Sequence, residues 1–539
     1  MIRNYIKTAY RNLLKNKGFT AINILGLALG LATCLLIVFY VYDELSYDQY
    51  NVKADRIYRV NNDIKFGGNE NSYAVSPAPM GPALKATFPE IEDEVRFRTR
   101  GGFQVKKGNQ EIQEYNVVYA DPSLFNVFTL PMIDGDPATA LKEPHSVVIT
   151  EDMALKYFNK MNVVGQVLTC DDTAQYKITG VIKNIPTQSH FNFDFFVSMS
   201  TLPESRDIAW FSNNFNTYLL LRPGTDPNKL QSKFADFLRK QAGAQLESIL
   251  HINFDQFEKA GNYFRFSLTP LKDIHLHSNR VAELSGNGNI QYIYIFSAIA
   301  IFILLIACVN FMNLSTARSS TRAKEVGVRK VLGSARKNLV FQFLTESVMV
   351  TLVAAIIAIF AAWGLLHTFN QLSGKQLTIT SHILIWLLPV VLLLVIVIGF
   401  LAGSYPAFFL SGFQPIEVLK GKLAAGFKAG FLRSFLVVFQ FSISIFLIIG
   451  TLVIYSQLRY IQNKDLGFDR DHVLIVDRIW TLGNKDRDFR EEVSQLAGVK
   501  SASLSGFLPT SNVGNSSSFF KDPVIDQKRA ILSQIWTVD

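Results

Sequence analysis

Three cysteines are all that 539 residues carry: Cys34, Cys170 and Cys308. Two lie inside long apolar runs and the third stands alone between them, so no disulfide within a domain is open to the chain. None has zinc-type spacing to other ligands. A second absence concerns phosphate chemistry. No G-x-x-x-x-G-K-[ST] occurs, and the nearest fragment, SGKQ at 373–376, lacks the spacing. The glycine loop that feeds a helix N-terminus and cradles a nucleotide is missing, and ATP hydrolysis by this chain goes with it. No ordered nucleophile and base stand out. Charge is also missing from the centres of the apolar runs. That argues against a secondary transporter, which needs broken spans and buried mid-membrane charges.

What is abundant is apolar surface. Hydrophobic residues make up 49% of the chain, 43 residues are Phe, and mean hydropathy is +0.19. Five stretches reach the about 20 residues that a bilayer crossing needs: 19–42, 292–314, 340–366, 383–410 and 435–455. The formal charge of +9 sits beside them and reads as membrane topology rather than nucleic-acid affinity. Arg11, Lys15 and Lys17 precede the first run as they would a signal peptide, and LATC at 31–34 hints at a lipoprotein cleavage site. The run continues through LLIVFYVY, however, and Thr33 suits such a site poorly. An uncleaved anchor is expected.

Orientation follows from the cations flanking the runs. Residues 1–18 carry five and no acid. The 315–340 connector carries seven, Arg318, Arg322, Lys324, Arg329, Lys330, Arg336 and Lys337, against the single acid Glu325. The 411–433 connector carries Lys420, Lys422, Lys428 and Arg433, while 371–381 has only Lys375. One alternation satisfies all of them: N-terminus, 315–340 and 411–433 inside; 43–290, 371–381 and 457–539 outside. Residues 43–290 are then a large extracytoplasmic domain of mixed α/β composition. Strands are expected at HSVVIT (145–150) and YKITGVI (176–182), with a helix at 151–158 capped by Thr150. His275 and His277 fall on one face of an expected strand; without a third ligand nearby they read as a packed or solvated pair. Asp43, Glu44 and Ser46 read as a polar exit from the first span. A weak repeat links the N-terminal region to FLRSF and QLRYIQNKDLGFDRDHVLIV (457–476), so 457–539 is expected to open a second outer domain and the chain to continue beyond it.

The 315–340 connector is the most informative stretch. Val328, Leu332, Ala335 and Leu339 make one apolar helix face, and Glu325 and Arg329 are spaced to pair. Gly333 permits a break, after which Ser334 can cap the next helix. Spacing alone leaves two readings open: a basic loop on anionic headgroups, or a docking helix for a cytoplasmic partner. Gly26 and Gly30 form a G-x-x-x-G that suits a helix–helix contact, including one between two protomers. Asn23, Asn310, Asn313 and Glu346 are the polar groups near the inner ends of the spans.

EVGVRKVLGS followed by FLTES (343–347) resembles the FtsX-like permease domain of MacB-type ABC transporters. YPAFFLSGFQPIEVLKGK (405–422) and YRNLLKNKGFTAINILGLALG (10–30) resemble that family's fourth-span exit and N-terminal segment. VVITEDMALKYF, ITGVIKNIPTQSHFNFDF and PLKDIHLHS resemble its extracytoplasmic core domain. The likeness covers nearly the whole chain and suits the long subgroup with two core domains. It implies an α-helical membrane protein of five spans with a large mixed α/β domain in the periplasm of a bacterial inner membrane. The order would be a basic segment 1–18, a span 19–42, a core domain 43–290, a three-span permease part 291–410, a connector 411–433, a fifth span 434–456 and a further outer segment 457–539. It implies a non-catalytic subunit without its own cofactor, ATP being bound by a separate cytoplasmic ABC ATPase. That ATPase would dock on Glu325, Val326, Gly327, Arg329, Lys330 and Gly333, with PIEVLKGK (415–422) as a weaker second contact. Force would pass through the spans to the outer domain, for export or efflux; the alternative is an FtsX-like signalling permease acting on a wall hydrolase. A second permease copy, a periplasmic adaptor and an outer-membrane channel are the further partners it implies.

Overall fold

A computed structural model describes residues 2–15, 17–171, 173–317, 319–378, 381–412, 427–465, 467, 471–477, 479–506, 508, 515–519 and 531–539. The expected second contact at 415–422 lies outside them. The chain divides into two units, Met1–Leu45 with Ile290–Asp469, and Ser46–Asn289 with Arg470–Asp539.

Among the described residues, the first unit holds five helices long and apolar enough to cross a membrane: Lys17–Leu45, Ile290–Ala317, Arg336–Ser373, Ser381–Gly412 and Phe427–Asn463. Their sequences are apolar all round, which suits helices that face lipid and one another. The first four pack around Leu27, Leu31, Leu35, Ala307, Phe311, Ala354, Ala358 and Ala402. Small side chains set the spacing, because van der Waals contact replaces the hydrophobic drive inside a bilayer. The fourth span reaches the third through Gly399 and Gly403. A Cβ at Gly403 would lie 2.5 Å from Ser347 Oγ, and one at Gly399 2.8 Å from Val348. The fifth span touches the second and leaves Phe435, Phe441 and Phe446 exposed. The basic N-terminal segment is itself a helix, Ile2–Lys15, lying against the third span.

Two tethers locate the ends of this bundle. At one end Lys375 Nζ lies 3.0 Å from Asp43 Oδ2 and 2.5 Å from Glu44 Oε1, so the short loop after the third span is pinned to the C-terminal end of the first. At the other, the N-terminal helix and the 319–335 connector both meet the first turns of the third span. Asp43 and Glu44, read from sequence as a plain polar exit, are two arms of a buried ion-pair cluster.

The second unit is built on one long mixed sheet. Ile57–Phe66 pairs antiparallel with both Asn213–Leu221 and Tyr263–Pro270. Further along, Ala174–Ile182 runs parallel to Ser146–Thr150, joined through helix Glu151–Phe158. These are the expected strands and helix. Every residue of Ser146–Thr150 is buried: Val148 serves one core cluster, Val147 and Ile149 the other. A strand covered on both faces carries such an unbroken apolar run. Thr150 occupies the N-cap position, but its hydroxyl donates to Asp194 rather than capping the helix. His275 and His277 lie on a helix, Leu271–His277, not a strand; His275 is buried and stacked on Tyr47, while His277 is half exposed. In 471–539 the described parts include helix Asp486–Ser494, none of it buried, and the hairpin Asn515–Phe519 with Ile531–Ile535.

Candidate functional site

The connector forms a helix, Ser319–Val331, that follows the second span. It stops at Gly333 for a definite reason. Gly333 has φ +89°, and the amides of Ser334 and Gly333 reach back to the carbonyls of Arg329 (3.0 Å) and Lys330 (3.1 Å). This paired closure requires a left-handed residue, which glycine adopts without strain. Because the helix ends there, the expected face of Val328, Leu332, Ala335 and Leu339 does not exist as one surface. Of these four, Leu339 alone is buried; Val328 is 49%, the neighbouring Val331 63% and Leu332 79% exposed. The buried side is instead Val326, 2% exposed, with Gly327 beside it; Val326 packs against Leu339, Phe343, Leu344 and Ala407. Ser334 does not cap the third span either; Ala335 holds the N-cap position.

Arg329 ties the helix down. It pairs with Glu325 at 2.7 Å and donates to Gln342 Oε1 at 2.6 Å. Lys330 stands beside Arg336, and burial first, then that guanidinium, pull its ammonium below the usual value. The outward surface among the described residues thus presents Val328, Val331 and Leu332 in a rim of Arg329, Lys330, Arg336 and Lys337. Gly26 and Gly30 face elsewhere. Cβ atoms there would meet Asn310 at 3.3 Å and Ala307 at 3.0 Å, so this stripe is taken up by the second span of the same chain.

The sheet domain carries a second constellation, at the root where both of its chain ends emerge. Asp48 is fully buried with φ +60°, and its Oδ1 accepts from His190 Nδ1 at 2.8 Å. His190 Nε2 lies 2.8 Å from the hydroxyl of Tyr218, which burial keeps protonated, well above its usual range. Beside this chain the fully buried Arg59 donates to Glu283 and Ser278. Ser285 donates to the carbonyl of His190 at 2.8 Å. Residues 48–51 and 278–285, the first and last stretches of the domain, are thereby cross-tied through charged and neutral hydrogen bonds. Sequence reasoning missed this joint: its members lie up to 237 positions apart (48 to 285) and share no motif. Among the described residues no group of three or more His, Cys, Asp or Glu could hold a metal.

Comparison with known proteins finds matches in both units. Residues 20–237 match the MacB-like periplasmic core domain, and 297–415 match the FtsX-like permease C-terminal domain. The chain belongs to the MacB/FtsX-type ABC transporter permeases. It is similar to the ABC transporter permease YvrN of Bacillus subtilis (strain 168), 23% identical over 436 residues, spanning 77% of this chain and 99% of that one. It is also similar to the macrolide export ATP-binding/permease protein MacB of Agrobacterium fabrum, 33% identical over 125 residues. That match takes in 23% of this chain and 18% of the relative. Among solved structures, the periplasmic region of MacB from Actinobacillus actinomycetemcomitans aligns at 13% identity and TM-score 0.28, over 41% of this chain and 91% of that one. The permease match takes in the connector helix and its supporting third and fourth spans. The core-domain match takes in Asp48, Arg59, His190 and Tyr218, but stops short of Glu283.

Proposed function

We propose that this permease is the membrane subunit of an ATP-driven, MacB-like exporter. A separate cytoplasmic ABC ATPase docks on the connector helix, and its cycle moves the sheet domain through the spans. The observation that carries this reading is the outward surface of the connector: exposed apolar side chains inside a cationic rim, on a helix clamped by Val326 and Arg329. Apolar side chains so exposed beside a bilayer end suit a protein groove with an acidic rim better than they suit water. The 539 residues hold no phosphate-binding loop, which supports an ATPase separate from this permease segment. Export, rather than signalling to a wall hydrolase, is the reading favoured by the MacB relatives, whose names denote macrolide export.

Cysteine at position 332, in native membranes, is expected to crosslink to a P-loop ATPase chain. The three native cysteines are buried and give little background. Val328→Asp with Leu332→Asp, at positions where burial is not at stake, abolishes copurification of that ATPase while the permease still folds. A complex that survives both changes rejects docking at this helix. Loss of a wall-hydrolase activity without change in drug or peptide export on deletion would replace export with signalling.

A further inference from the structure

The sheet of the second unit has an open side. Tyr263–Pro270 ends its strand order, with Ile57–Phe66 on the inner flank. The Leu268 amide donates to Oε1 of Gln231 at 2.7 Å, so it points away from Ile57–Phe66. In an antiparallel strand, alternate residues turn their N–H and C=O to the same side, and the register with Ile57–Phe66 is unbroken. The N–H and C=O of Phe264 and Phe266 therefore face outward too, and among the described residues nothing pairs with them. Such a row is a template for another chain. A groove of about 410 Å³ opens on it, lined by strand residues 264–267 with Phe234, Leu238 and Phe254 of the adjoining helices. That is within the roughly 300–1,000 Å³ of ligand sites. The charged lining is Asp63, Arg239, Glu258 and Arg265. Asp63 receives Arg280 at 2.6 Å, and Arg239 serves both Asp255 and Glu258. Arg265 is exposed, lies 4.0 Å over the ring of Tyr263 and forms no ion pair among the described residues. Of the neutral polar groups, Ser232 donates to the carbonyl of Lys229 and Ser267 to Asp63. Gln231 holds Leu268 and keeps its Nε2 as a donor.

We propose that this edge takes up an extended peptide segment of another protein as an added strand, with apolar side chains at alternate positions and an acid between them. The class of occupant follows from the groups presented. Two N–H and two C=O groups, on Phe264 and Phe266, stand one strand repeat apart. An extended backbone offers the complementary set at the same repeat. Side chains then set the pattern. Phe264 and Phe266 point to the helix side of the sheet, where they join the cluster of Phe234, Leu238 and Phe257. Apolar residues of the added strand beside them extend that cluster. Arg265 projects to the opposite face. An acid beside it forms a cross-strand pair with a guanidinium that no described carboxylate holds. This inference uses the sheet domain alone and is independent of what docks on the connector.

The test uses the full chain in lipid nanodiscs and the peptide fluorescein-TVEVT-amide, followed by anisotropy. Saturable binding is expected. The lysine counterpart, fluorescein-TVKVT-amide, binds about tenfold more weakly, because a favourable cross-strand charge pair becomes a repulsive one. Arg265→Glu, at an exposed position that folding does not depend on, reverses that preference. Methylation of both valine nitrogens of TVEVT abolishes binding, since in the added strand those N–H groups face Phe264 and Phe266. Methylation of the glutamate nitrogen, which faces away, is tolerated. No binding of TVEVT by the wild type, equal loss from methylation at valine and at glutamate, or a charge preference that Arg265→Glu leaves as it was, overturns the proposal. A change of oligomeric state on Arg265→Glu without peptide binding by the wild type also overturns it and assigns the edge to a second copy of this chain.

Discussion

Glu94 illustrates how one buried side chain makes stability depend on pH. It sits in the strand Ile91–Arg98, and its Oε2 is buried without a hydrogen-bond donor. Gly81 leaves it room: a Cβ there would lie 2.4 Å from that oxygen. Desolvation first, and the nearby Asp121 carboxylate second, push its carboxyl up from 4.5 to about 8. The folded chain thus holds this proton more tightly than the unfolded one. The stabilisation is complete below pH 4.5 and is lost as pH rises toward 8. Glu94→Gln removes the dependence. At pH 8.5 it should be more stable than wild type by a few kcal/mol, at about 1.4 kcal/mol for each tenfold difference in proton affinity. At pH 5 the two should melt alike; thermal unfolding of the full chain at both pH values checks this. Arg59, fully buried, is by contrast received by Glu283, Ser278 and Asn61.

Among the elements, the third and fourth spans depend on close approach at Gly403. Gly403→Leu forces a side chain into Ser347 and is expected to cost roughly 1–3 kcal/mol or more through overpacking. Gly450→Leu, in the fifth span, meets nothing within 4 Å and should leave the melting temperature of the solubilised chain unchanged. Equal effects at both positions would contradict the packing described. The contrast also shows the limit of motif reading. GLALG at 26–30 and GFLAG at 399–403 have the same spacing, and only the structure says that each meets a neighbouring span of its own chain. Spans, the strand–helix–strand at 146–182 and the Gly333 break were legible because each rests on local physics: apolar length, alternation, a left-handed residue. The inward face of the connector was not. Which side of a short helix is buried depends on Leu339, Phe343 and Ala407, which belong to other helices.

For the whole molecule, the Lys375 cluster ties the two ends of the sequence-derived topology to physical objects. Lys375→Met removes the ammonium that faces Asp43 and Glu44, both buried, and breaking such a cluster typically costs about 3–5 kcal/mol. A marked fall in thermal stability is expected, with partial recovery when Asp43→Asn and Glu44→Gln are added. A chain indifferent to Lys375→Met would mean that the cluster holds nothing together. The same geometry puts 376 and 332, both exposed, at opposite ends of the third span, so an impermeant maleimide applied to intact cells should label cysteine at 376 and not at 332. Labelling at 332 would reverse the orientation and remove the cytoplasmic docking surface.

Sequence by itself determined how many times this chain can cross a bilayer, where the cations gather, and that no nucleotide loop is present, because length, hydropathy and motif spacing are properties of neighbouring residues. Tertiary structure alone decided that the glycine stripes are consumed within the chain, that Asp48, His190 and Tyr218 knit the root of the sheet domain, and that Gln231 closes one end of the edge of Tyr263–Pro270. Those facts depend on residues far apart in sequence being packed to within hydrogen-bond distance, and no local pattern encodes that distance.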